Sequence, residues 1–383
     1  MIASLSSRSS RSALALEPPL SVASSAAPAA GGLLPESWPE LVRRIGDTPL
    51  AAVPVSLRGR TYRLLLKLEG FNPLGSIKDR TAYSLIRWLE ASSGGGERLT
   101  VVESTSGNLG CALAAICRLR GHRFIAVVDP KVAASPLRTM RKLGAEVEVA
   151  DRPDANGNFL TARIERVEEL CDRIPWACWV NQYASRANPR IHYLQTGPEL
   201  LRQTGPEVDC VFVAVSTGGT LRGIGRFFRT ASPLTKVVGV DVDGSIALGG
   251  RRGTRWLTGI GANRRSRFVQ DDDYDECRRV TDAEAIALCR RLRRDTGLCL
   301  GGSSGAVIAA TLRYLVDHPE VQHPVGICPD NGDKYLSSIY ADRWAHTHGI
   351  DVAAAEQRLD RDGVRFGEAR LDAAAPDPLA NGR

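Results

Sequence analysis

Lys78 stands in "FNPLGSIKDR", between a Pro/Gly-rich turn and a helical pattern. A lysine at a helix start has its ammonium near the positive end of the helix dipole, which disfavours a merely solvating charge. Such a setting tends to lower the amine's pKa, and imine formation with an aldehyde cofactor requires that. Taken alone, a surface lysine remains the bland alternative. Two further turns suit anions. In "VVESTSGNLG" a strand-like run opens into Ser104, Thr105, Ser106, Gly107 and Asn108, where a helix N-terminus would hold a carboxylate or phosphate; one cap residue suffices for a helix, and this turn has four. In "VFVAVSTGGTLRGIGR" Ser216, Thr217, Gly218, Gly219 and Thr220 combine hydroxyls with glycines that let backbone N–H groups close on phosphate oxygens. That turn lacks the G-K-[ST] ending of a P-loop and the G-x-G-x-x-G spacing of a dinucleotide fingerprint. Together, an imine lysine, an anion turn and a phosphate cradle fit pyridoxal 5'-phosphate better than a nucleotide.

The elements that must position these residues follow from periodicity. "YRLLLKL", "LTVVE", "RFIAVVD", "AEVEVA", "CVFVAV", "KVVGVD" and "PVGIC" predict strands. Ala82, Leu85, Ile86 and Leu89, and then Leu109, Ala112, Leu113, Ile116 and Leu119, follow the spacing of one helix face. Alternating strands and helices predict an α/β fold of mainly parallel sheets flanked by helices, with ligands at the carboxyl ends of the strands.

Bulk properties narrow the class. The 383 residues are 43% hydrophobic and 24% charged with a net charge of +7, and no apolar run reaches the roughly 20 residues of a membrane span. The arginines are scattered rather than blocked with aromatics, so small anions suit the positive field better than nucleic acid. Nine separated cysteines without a C-x-x-C pair argue against a disulfide framework and a zinc site, so no metal is expected and a cytoplasmic location fits. Residues 1–35, rich in Ser, Ala and Pro and poor in acids, read as a disordered extension, and 349–383 as a flexible tail.

"IGDTPL", "NPLGSIKDR", "TSGNLG", "NQYASRANPRIHYLQTGPEL", "STGGTLRGIGR", "GIGAN" and "GGSSGA" resemble the ordered motifs of the fold-type II pyridoxal-phosphate enzymes, the cysteine synthase and cystathionine β-synthase group. The resemblance covers 36–348. It implies a two-domain α/β enzyme, often a homodimer, with the cofactor between domains: 36–84 with 194–348 as the larger domain and 85–193 as the smaller, mobile one. Lys78 would be the Schiff-base lysine, Asn108 would bond the cofactor's ring oxygen, residues 216–220 would hold its phosphate, and Ser303 would face the pyridine nitrogen unless it is a helix cap. Residues 104–107, with Thr105 and Ser106 foremost, and Gln182 would hold the substrate α-carboxylate.

Ser104 and Leu109 depart from the proline and threonine usual in cysteine synthases. With "VVDPK", "RPDANGNFLTARIERVEEL", "WVNQYA" and "DVDGS", they resemble instead the branch that joins O-phospho-L-serine to L-glutamate, through an α-aminoacrylate, on the way to 2,3-diaminopropionate for siderophores or peptide antibiotics. Such anionic substrates need fixed cations, and Arg163, Arg222 and Arg264 are the candidates. Asp330 in "PDNGDKYL" is expected to be structural. Cysteine synthase itself is the alternative; cystathionine β-synthase is disfavoured because no haem-type Cys/His pair precedes the core. A catalytically idle relative is disfavoured by the presence of Lys78.

Overall fold

In the computed structural model the described residues are 35–93, 98–105, 107–153 and 159–372. Ser106 and the extension 1–34 lie outside them. Among the described residues, twelve strands form two sheets. The smaller joins β3 (Thr100–Ser104), β4 (Arg123–Val128), β5 (Glu146–Val149) and β6 (Ala177–Trp179), all parallel, in the order β5-β4-β3-β6. The larger holds β1 (Leu50–Leu57), β2 (Arg60–Leu68), β7 (Cys210–Ala214), β8 (Lys236–Val242), β9 (Glu276–Val280), β10 (Pro324–Cys328) and the short β11 (Arg365–Phe366), with β12 (Arg370–Asp372) also on β1. From β2 through β10, β7 and β8 to β9 the pairing is parallel; β1 closes one side antiparallel to β2.

Helices cover both sheets on both faces, which explains the continuous apolar runs of the central strands. On the smaller sheet, α1 (Trp38–Arg44), α2 (Lys78–Ser92), α3 (Asn108–Arg120) and α4 (Ala134–Lys142) share one core through Leu41, Leu85, Leu113 and Met140. The opposite face packs Val102, Ile125 and Val127 on Val167 and Leu170 of α5 (Leu160–Arg173). After α6 (Ala187–Ile191) and a π-turn at His192–Thr196, the larger sheet buries Leu200 of α7 (Gly197–Thr204) and Leu221, Ile224 and Phe228 of α8 (Gly219–Ala231) on one face. Its other face takes α9 (Asp282–Thr296) and α10 (Gly302–Asp317), whose Ile286, Leu292, Val307 and Ile308 are fully buried.

Two expectations need correction. Residues 36–84 do not all belong with the larger sheet: Leu41, Ile45 and Ala82 pack in the core of the smaller one, because they complete the apolar face of α3. Nor is 349–372 a loose tail. After α11 (Asp342–Thr347), α12 (Val352–Arg361) buries Val352 and Ala355 against α9, and β11 and β12 pair antiparallel with β1, seating Phe366 opposite Val55. Val352, Ala355, Val364 and Phe366 of that stretch join the core of the larger sheet, while Leu371 stays half exposed. Residues 373–383 lie outside the description.

Candidate active site

The carboxyl ends of β3, β7 and β10 open onto a cleft of about 520 Å³ between the two sheets. Lys78, Ser104, Thr105, Gly107, Asn108, Arg163, Gln182, Ser216, Thr217, Gly218, Thr220 and Ser303 all line it. The cleft therefore gathers nearly every residue singled out from the sequence.

Lys78 opens α2. The preceding turn is closed by the Asp79 carboxylate, which accepts from the Leu74 N–H at 2.6 Å and the Ser76 hydroxyl at 3.4 Å. It is stitched to the end of β10 by Ile77 N–H donating to the Pro329 carbonyl at 2.9 Å. Burial pushes the Lys78 ammonium down to about 8, with Asp330 opposing. The amine is thus available as a base near neutrality, with desolvation as the main cause rather than the helix terminus. The Asp79 carboxyl is pushed up to about 7 by the same burial.

The anion turns begin uncapped helices. Gly107, Gly218 and Gly301 stand at the N-caps of α3, α8 and α10, and none supplies a side-chain cap; the one nearby hydroxyl contact among the described residues is Thr217 Oγ1, which accepts the Gly219 N–H at a long 3.5 Å. Ser303 is two residues past its cap position and fully enclosed, which excludes the helix-cap reading. Gly218 has a positive φ of 89°, and a Cβ there would lie 2.1 Å from Ser266 Oγ, so only glycine fits. Behind the cradle, Asn188 Nδ2 donates to Thr217 Oγ1 at 3.2 Å and Ser266 Oγ donates to the Thr217 carbonyl at 2.7 Å. Orphan N–H groups, hydroxyls and a positive dipole end fit a phosphate.

Gln182 Nε2 donates to the Ser104 carbonyl at 3.0 Å, and Gln182 N–H reaches Glu103 Oε2 at 3.2 Å. Ser104 Oγ is buried without a hydrogen-bond partner among the described residues. Asn108 Nδ2 donates to Asp330 Oδ2 at 2.7 Å, while Lys334 Nζ donates to Asn108 Oδ1. Asp330 Oδ2 also accepts from Tyr335 OH at 2.8 Å and pairs with Lys334 at 2.9 Å. Asp330 is thus more than a structural turn residue: it joins α3 of the smaller sheet to the end of β10.

The arginines divide. Arg163 lies in the cleft, 3.1 Å from Asp129. Arg264 does not line it, but its guanidinium stacks 4.1 Å from the ring centroid of Tyr183, which does. Arg222 is turned away: it pairs with Asp273 at 3.2 Å and donates to the Phe268 carbonyl, because its position on α8 faces the 268–273 loop. It is not a substrate residue.

Sequence reasoning missed four participants. Lys131, Arg138 and Lys334 line the cleft, and only the cationic type of each could have flagged them. His192 is fully buried with Nε2 3.3 Å from both Thr81 Oγ1 and Thr220 Oγ1, tying α2 to the phosphate turn. Burial, with Lys78 and Arg80 adding, holds its pKa well below the usual range, so the imidazole is neutral. It sits on a π-turn, a distortion frequent at functional sites.

The amine, the cradle and the neutral hydroxyl facing one cleft define a site for pyridoxal 5'-phosphate. A family model described as pyridoxal-phosphate dependent enzyme matches residues 41–325, and the chain belongs to that family. More particularly, it is 41% identical over 324 residues to the N-(2-amino-2-carboxyethyl)-L-glutamate synthase of Ralstonia nicotianae (83% of this chain, 96% of the relative) and 40% identical over 307 residues to that of Cupriavidus metallidurans (79% and 90%). Among solved structures, the O-acetylserine dependent cystathionine beta-synthase of Helicobacter pylori superposes with a TM-score of 0.72 at 30% identity, covering 81% of this chain and 100% of that one. The fold is that of the fold-type II enzymes.

Proposed function

We propose that this protein catalyses a β-replacement joining O-phospho-L-serine to L-glutamate, giving N-(2-amino-2-carboxyethyl)-L-glutamate and phosphate, a step toward 2,3-diaminopropionate, and that it acts as a cytoplasmic homodimer. One observation carries the choice of substrates: the cleft is lined by five basic side chains, Lys78, Lys131, Arg138, Arg163 and Lys334, against a single carboxylate, Asp330, among the described residues. Sulfide needs no such field, whereas a phosphomonoester and a dicarboxylate do.

When bound, pyridoxal 5'-phosphate supplies an electron sink for negative charge at the substrate Cα. Residues 216–220 and the α8 N-terminus would hold its phosphate, and Asn108 and Ser303 would hold its ring. Ser303, a neutral hydroxyl rather than a carboxylate, would not keep the ring nitrogen protonated, which would favour loss of a β-substituent over racemisation. Thr105, Gly107 and Gln182 orient the α-carboxylate. Lys78 Nζ takes the α-proton, its lowered pKa leaving part of the amine neutral at pH 7 to 8. Arg163 offsets the charge of the departing phosphate.

The test is mass spectrometry of products when the cofactor-loaded protein receives O-phosphoserine with glutamate and sulfide in competition. A glutamate adduct is expected. Cysteine as the sole product would replace the reading with cysteine synthase.

A further inference from the structure

The second substrate of the proposed reaction carries two carboxylates, and one wall of the cleft holds cations to which no role has yet been given. Lys131 follows β4 and Arg138 lies on α4; both line the cleft and both are exposed to solvent at its rim. Neither forms a salt bridge among the described residues. The carboxylate nearest in sequence, Asp129, is already engaged: its Oδ2 pairs with Arg163 at 3.1 Å, and its Oδ1 accepts the Lys131 backbone N–H at 2.9 Å. The Lys131 ammonium instead lies over the Phe159 ring, 5.4 Å from its centroid, which holds the side chain without neutralising it.

Between the two cations, α4 starts on the cleft. Its N-cap is Ala133, no side chain caps it, and its first turn holds no acidic residue. Ala133, Ala134 and Ser135 all line the cleft. The wall therefore offers a lysine, an arginine and a positive helix end within one stretch of eight residues, with no carboxylate paired to either side chain among the described residues.

We propose that Lys131, Arg138 and the start of α4 seat the two carboxylates of the amino-acid nucleophile, separately from the Arg163–Asp129 pair. This rests on the glutamate reading above and adds where the specificity for it resides. An amino acid held by both carboxylates at this wall is fixed at its anionic ends, leaving its amine the one group free to turn toward the reacting carbon. Glutamine forfeits one of these contacts and sulfide both.

The test uses the cofactor-loaded enzyme with K131M, R138M and the double variant; methionine keeps much of the aliphatic stem and removes the charge. Each single variant should raise the KM for glutamate about fivefold and the double variant about twentyfold, as for solvent-exposed charge contacts. The KM for O-phosphoserine should change several-fold less. Glutarate, a dicarboxylate without an amine, should bind the unsubstituted enzyme in calorimetry and bind the double variant correspondingly more weakly. The wild-type preference for glutamate over glutamine should shrink in at least one single variant. Unchanged glutamate KM and glutarate affinity in the double variant would overturn the seat while leaving the glutamate reaction standing. A parallel rise in the O-phosphoserine KM would overturn it by assigning the wall to the first substrate. If the unsubstituted enzyme forms no glutamate adduct, the parent reading fails, and the seat fails with it.

Discussion

Replacing Glu103 with glutamine should change how stability depends on pH. Glu103 is the last residue but one of its strand, is wholly buried, and accepts from the Gln182 N–H at 3.2 Å and Gln182 Nε2 at 3.4 Å, with no salt bridge among the described residues. Burial pushes its carboxyl up to about 7 from the ordinary 4.5, with the Gln182 donors opposing. Because the folded value lies above the unfolded one, the native state binds the proton more tightly. That contribution is complete below pH 4.5 and is lost as pH rises to about 7. At about 1.4 kcal/mol per pH unit, the loss is about 3 kcal/mol for a group without solvent screening. Glutamine keeps the shape and cannot ionise, at the cost of about 1 kcal/mol for one mismatched donor. Glu103→Gln should therefore be about as stable as the parent or slightly less at pH 4.5, and about 2 kcal/mol more stable at pH 8. Urea unfolding midpoints at both pH values, converted with a common m-value, measure this. Parallel pH profiles for the two proteins would refute the burial argument. An equal rise of the O-phosphoserine KM at all pH values would show that the carboxylate serves only to place Gln182.

Lys78→Ala should abolish the visible absorbance of the bound cofactor's linkage and lower turnover by on the order of 10³-fold, with the far-ultraviolet dichroism of the parent; undiminished turnover would remove Lys78 from the chemistry. Arg80→Met should destabilise the protein by about 3–5 kcal/mol, because it removes the cation that Glu69 and Glu199 now meet at 2.7 and 2.8 Å in a fully buried cluster and leaves two carboxylates to Lys67, which already pairs with Glu199; denaturant titration checks it, and a loss under 1 kcal/mol would mean that Lys67 and the neighbouring donors suffice for both.

Much of the site was legible because its chemistry sits where strands end. The seven strands expected from apolar runs are all present, since both faces of the central strands are covered and every position can be apolar. β1 escaped because Pro54 interrupts it; it tolerates the missing N–H on the antiparallel side of the sheet, where Pro54 faces Arg63. β9 escaped because its edge position lets "ECRRV" carry three charges. Arg222 was misplaced for a different reason. Proximity to the phosphate turn in sequence says nothing about which way a helix residue points, and two residues past Thr220 the side chain already faces Asp273. Lys131 and Arg138 were invisible because a basic residue on an exposed turn or an exposed helix face carries no pattern until a cleft is opened beside it.

The contrast between Lys78 and Arg80 explains why the motif "KDR" can both react and hold. The two residues are two positions apart on α2 and so point to different sides of it. Arg80 turns into a sealed pocket with Glu69, Glu199 and, next to them, Lys67, where two carboxylates offset its desolvation and raise its pKa further. This four-charge cluster ties β2, α2 and α7 together and receives Thr48 Oγ1 on Glu69 at 2.8 Å, so the first turn of α2 has little freedom to move. Lys78 turns the other way, into the cleft. Burial there lowers its pKa, and among the described residues its ammonium has no hydrogen-bonded carboxylate to restore it, Asp330 acting only through space. A rigid helix start and a weakly paired amine are therefore two outcomes of one physical difference, the presence or absence of a contacting anion after desolvation. Exchanging that difference, by placing a carboxylate in contact with Lys78, would hold the ammonium charged and remove the base that the proposed reaction needs.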